Sequence, residues 1–143
     1  MNEKPNKLKS ILASIPLSIL GALAVHAIYG LANLIISLVF WLISYIPILN
    51  TLVEWLFRIR EDTPSMFATF LAVGVAYIGF MAIAEHIIRK PETKKLTLIL
   101  TGIFLTISNV LYVIINLKYN DPILVNTFLA IVGMVIFFKG KNT

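Results

Sequence analysis

Hydrophobic positions in this chain gather into four runs longer than the core of a soluble domain requires. No formal charge appears from Ile11 to Val53, and further apolar runs cover Pro64 to Ile88, Leu96 to Leu117 and Pro122 to Phe138. A helix of about 20 residues crosses the ~30 Å hydrocarbon core of a bilayer. Each run is therefore read as a spanning helix, the shortest one with Lys139 snorkelling to the surface. The joints carry helix punctuation. Thr63-Pro64 and Asp121-Pro122 read as an N-cap followed by proline at the first helical position, and Pro91 follows the end of the second run.

The first run has room for one span or for a hairpin turning near Gly30, and charge separates the two. With one span, Lys4, Lys7, Lys9, Arg89, Lys90, Lys94, Lys95, Lys139 and Lys141 share a side, against Arg58, Arg60 and Lys118 on the other. A hairpin divides the twelve Lys and Arg evenly. Cytoplasmic loops are enriched in Lys and Arg, so the uneven count is preferred and places both termini in the cytoplasm. The apolar run continues well past Ala22-Leu23-Ala24, which favours an uncleaved signal anchor over a cleaved signal peptide. Ser14, Ser18, Ala22, His26, Gly30, Asn33, Ser37 and Ser44 recur at helical spacing, a small and polar stripe on one continuous helix. Trp41 and Tyr45 fall where an outer aromatic belt belongs.

After Pro47 the period changes character. Ile48, Leu49, Leu52, Val53, Leu56 and Ile59 share one helical face, and Asn50, Thr51, Glu54 and Arg58 share the other. That pattern predicts an amphipathic helix lying in the membrane interface. The fold expected is all-α: a four-transmembrane-helix bundle with a short interfacial helix after the first span. As one membrane domain, it divides into a cytoplasmic segment 1–10, spans over 11–46, 64–88, 96–117 and 122–138, an interfacial helix over 47–60, and a cytoplasmic tail 139–143.

Composition narrows the chemistry. Only 13% of the 143 residues are charged and 59% are hydrophobic, as a bilayer solvent demands. The net charge of +5 sits in short clusters between spans, so it reads as an orientation signal and not as a nucleic-acid surface. Without cysteine, thiolate metal sites, disulfides and cysteine nucleophiles are excluded. No HExxH, no glycine-rich phosphate loop and no pair of embedded carboxylates occurs. No catalytic residue, metal or cofactor is therefore expected. Small multidrug-resistance transporters share the size and span number, but their first-span carboxylate has no counterpart where this chain carries His26.

Three groups of residues need explaining. Glu85 and His86 form the one acidic–imidazole pair inside an apolar run, and their closeness to Arg89 and Lys90 reads as interfacial ion pairing. Ser65, Ala68, Ala72, Ala76, Gly79 and Ala82 make a small-residue stripe on the second span, the kind of surface that lets helix backbones approach in lipid. Tyr77, Asn109 and Asn126 lie twelve, fourteen and thirteen residues from Arg89, Lys95 and Lys139, and His26 is central in the first span. At ~1.5 Å per residue these depths agree at roughly 20 Å, which predicts a mid-membrane polar layer whose members satisfy one another.

The leading functional expectation is a non-enzymatic membrane subunit or accessory protein acting by helix-mediated assembly. Its partners would be the lipid bilayer and either further copies of itself or other membrane subunits, in a prokaryotic cell membrane. A homo-oligomeric channel or small transporter using the polar layer is the alternative, followed by a lysis or immunity-type protein, with a membrane enzyme last.

Overall fold

The computed structural model describes residues 3–49, 51, 66–117 and 123–143. These form α1 (Glu3–Ser44), α2 (Met66–Ile87), α3 (Pro91–Asn116) and α4 (Leu124–Lys141), with no strand among the described residues. All four are long and apolar enough to cross a membrane. The chain is an all-α, multi-pass membrane protein. α1 runs unbroken through Gly30, so the first run is one helix and not a hairpin. Residues 47–49 and Thr51 are helical, but the rest of the expected interfacial helix lies outside the described residues, as do the caps at Thr63-Pro64 and Asp121-Pro122. α3 begins at Pro91, earlier than the apolar run at Leu96 suggests. Proline is at ease there, because its fixed φ suits the first helical position and its missing N–H would have had no partner.

The helices pack as a ring in the order α1, α2, α4, α3. Contact between α3 and α4 is the most extensive, α1 rests on both α2 and α3, and α2 touches α4 only lightly. The link over residues 88–90 joins α2 to α3, yet each packs mainly on other helices. α1 and α3 run parallel, since Lys9 approaches Thr93 at one end and His26 approaches Ser108 further in. α2 and α4 also run parallel, with the Phe70 and Phe128 rings edge to face at 6.2 Å and Tyr77 beside Val132. The core they enclose is built from Val25, Val73, Ala76, Phe80, Leu98, Leu105, Leu129 and Ile136.

Lipid tails are as apolar as leucine, so burial of apolar surface does not by itself drive this association; close packing does. α3 and α4 achieve it through glycine. A Cβ on Gly102 would stand 2.6 Å from the carbonyl oxygen of Gly133 and 2.5 Å from the nitrogen of Phe137. A Cβ on Gly133 would meet the Thr106 nitrogen at 2.7 Å, and one on Gly140 the Ile99 nitrogen at 2.9 Å. These are backbone atoms, which cannot swing aside as a side chain can. The two helices touch main chain to main chain.

α1 behaves differently along its length. Ser14, Ser18, Gly21, Val25 and Ala32 are buried in the bundle. Beyond Ala32 none of its described side chains is buried; Ile36, Phe40 and Ile43 are half-covered, while Leu34, Ile35, Leu38 and Leu42 stand open. At ~1.5 Å per residue this helix is about 60 Å long, twice the hydrocarbon thickness.

Candidate functional site

Three of the four residues expected in the polar layer come together. His26, Asn109 and Asn126 line a cavity of about 480 Å³, with Ser108, Tyr112 and Phe104 of α3 also on its wall. α1 supplies His26 one turn after Ala22, α3 supplies Asn109 one turn after Leu105, and α4 supplies Asn126 from its first turn. Asn109 is only 2% exposed, whereas His26 stands at the open edge. The cavity therefore opens sideways from a polar inner wall.

The fourth residue is elsewhere. Tyr77 lies on the α2–α4 side among Phe70, Val73, Phe128 and Val132. Depth alone placed it in the layer, and depth is silent about which way round the helix a side chain points. The expected mutual hydrogen bonding is also corrected. His26 Nδ1 lies 2.9 Å from the Ala22 carbonyl oxygen, and Asn109 Nδ2 donates to the Leu105 carbonyl at 2.8 Å. Each returns a donor to its own helix four residues back, so neither needs a partner helix to satisfy it. A carbonyl can only accept, so Nδ1 is the donor in this contact and Nε2 is left free of it. No hydrogen bond links any two of the four among the described residues. The wall thus offers acceptors and amides toward the cavity without a closed internal network.

Glu85 pairs with Lys94 of α3, across the link, instead of Arg89 or Lys90. The carboxylate end of the pair is 70% exposed, so water competes for it and the pair tethers the corner weakly. His86 is exposed on the adjacent face and takes no part. The pair is an interfacial contact with no third group to make a reactive site.

The small-residue stripe on α2 divides. Ala72 and Ala76 are fully buried, Ala68 and Gly79 are half-covered, Ala82 is exposed, and Ser65 lies outside the described residues. A Cβ on Gly79 would meet only the Ile28 methyl groups, at 3.3 and 3.4 Å. The closest helix approach is therefore between α3 and α4, not along α2.

One feature escaped the sequence reading. Thr93, Thr97 and Thr101 of α3 are buried, and Ser14 and Ser18 of α1 are completely so. Thr101 Oγ1 lies 3.4 Å from the Ser18 carbonyl oxygen, while Ser14 and Ser18 donate to the carbonyls of Ile11 and Ile15 at 2.8 and 2.6 Å. The buried Thr97 hydroxyl has no partner. This hydroxyl seam joins the two parallel helices. Its signal was present as threonine at every fourth position from 93, but hydroxyls in a basic, polar first turn read as solvated until a neighbour covers them.

No group of three or more His, Asp or Glu able to hold a metal occurs among the described residues. Comparison with family models, with curated proteins and with solved structures finds no match.

Proposed function

We propose that this protein is a small, non-enzymatic membrane subunit that acts by assembling with a second copy of itself or with another membrane protein, and that α1 is the helix it presents. The supporting observation is the length and exposure of α1. It has 42 residues, against 22, 26 and 18 in the other helices, and its second half is open apolar surface. A helix about 60 Å long exceeds a ~30 Å core even when strongly tilted, so part of its apolar surface needs protein cover. Orientation follows the charge pattern, with the end bearing Lys7, Lys9, Arg89, Lys90, Lys139 and Lys141 in the cytoplasm.

The cysteine-free chain makes the test direct. Single cysteines at Leu34, Leu38 and Leu42 should form disulfide-linked dimers, or cross-links to a co-purifying membrane chain, in native membranes. A cysteine at Ile107, equally exposed on α3, should not. Monomeric protein from all four variants, with no linked partner, would remove this reading.

The lateral cavity supports a second reading, transport of a small polar solute. Purified protein in liposomes would then carry flux that His26→Leu abolishes without lowering the melting temperature. Absence of flux from the wild-type chain would leave assembly alone.

A further inference from the structure

A cavity of about 740 Å³ lies at the charged end of the bundle between the start of α1 and the α2–α3 link. Its rim is basic: Lys9 comes from α1, and Arg89 and Lys90 come from the link. Its deeper wall is apolar, with Ala13 and Leu17 of α1 facing Ile87 and Ile88. Glu92 also lines it, so three cations stand against one carboxylate. Volume and lining suit a ligand with an anionic head and an apolar body.

The floor of this groove is the N-terminus of α3. Lys90 makes no side-chain cap, and Pro91 has no N–H to offer. The Lys94 N–H is used, donating to the Lys90 carbonyl at 2.9 Å. Those of Glu92 and Thr93 remain for an outside acceptor at the positive end of a 26-residue helix. A second observation points the same way. Thr93 is 7% exposed, lines the groove, and its hydroxyl has no hydrogen-bond partner among the described residues. The hydroxyl is not sealed inside the protein but opens on the groove, so it is free to donate to an anionic oxygen arriving there.

We propose that this groove binds the phosphate of an anionic phospholipid headgroup. The N–H groups of Glu92 and Thr93 and the Thr93 hydroxyl donate to the phosphate oxygens, Arg89, Lys90 and Lys9 neutralise them, and the acyl chains descend along Ala13, Leu17 and Ile87. The apolar wall favours a lipid over free phosphate, which would leave it uncovered. This goes beyond the assembly reading and stands or falls separately from it.

The test titrates the purified full chain, in neutral detergent, with short-chain phosphatidylglycerol, short-chain phosphatidylcholine and inorganic phosphate, following the melting temperature. Phosphatidylglycerol should stabilise saturably, and the other two should not at equal concentration. The double variant Arg89→Gln/Lys90→Gln should weaken the apparent affinity roughly tenfold or more, in line with charged hydrogen bonds. Lys139→Gln/Lys141→Gln, on the same end but outside the groove, should leave it unchanged. Thr93→Val should weaken it and Thr93→Ser should keep it, each judged against the variant's own melting without lipid. Equal stabilisation by phosphatidylcholine, equal loss in the two double variants, or indifference to Thr93→Val would each overturn the site. Saturation by inorganic phosphate with the same variant dependence would overturn the lipid in favour of the free anion.

Discussion

Along α3 and α4 the main chains touch at Gly102, Gly133 and Gly140, whereas α1 beyond Ala32 presents Leu34, Leu38 and Leu42 to its surroundings with no buried side chain described. Both surfaces are apolar, and both sit in helices that qualify as membrane spans. In water the leucine-rich surface would be the one driven inward. In lipid it gains nothing by leaving the tails, and the glycine surface wins because dispersion contacts between two backbones need no side-chain ordering. Size, not hydrophobicity, decides which face packs. The hydrophobic residues are left for lipid or for a partner whose own surface fits them.

The sharpest way to break this contrast is to put a side chain where the backbones meet. Gly133→Leu should destabilise the bundle by about 3 kcal/mol or more, at the upper end of overpacking costs, because its Cβ would meet the Thr106 nitrogen and the Gly102 carbonyl oxygen, which are main chain. Detergent melting or denaturant unfolding reads it, and a loss under about 1 kcal/mol would show that the helices separate freely.

Gly79→Leu on α2 should fall between the extremes, near 1 kcal/mol, since the Ile28 side chain can turn away. Ala72→Leu, at a fully buried site, should cost more than Gly79→Leu, and Ile78→Leu, at an exposed one, should cost least of the three. A reversed order would mean that α2 packs on α1 through a different face.

The smallest effect belongs to the outer half of α1. Leu34→Ala and Leu38→Ala should change melting of the isolated monomer by less than about 0.5 kcal/mol, the usual range for sites without packing partners. The same variants should lower the yield of cross-linked assembly. Monomer melting that drops as far as for Gly79→Leu would place this half of α1 inside the bundle.

What the sequence determined by itself is what can be read along one axis. Span number, the unbroken α1 and the clustering of Lys and Arg at one end all follow from run length and charge, because a bilayer sorts residues by depth. The same counting along each span grouped His26, Asn109 and Asn126, and they share a cavity. Rotation about each helix axis was not readable. A soluble helix reveals its buried face by polarity, but a span surrounded by lipid is apolar on every side, so Tyr77 was grouped with residues from which it stands on a different flank. Small residues mark surfaces able to approach, and α2 carries more of them than α4; only the tertiary structure showed that Gly102 and Gly133 oppose each other, which turns two ordinary glycines into one contact. The groove beside Thr93 depended on it as well. Lys9 and Arg89 are eighty residues apart, and their meeting follows from the parallel run of α1 and α3, which no local pattern encodes.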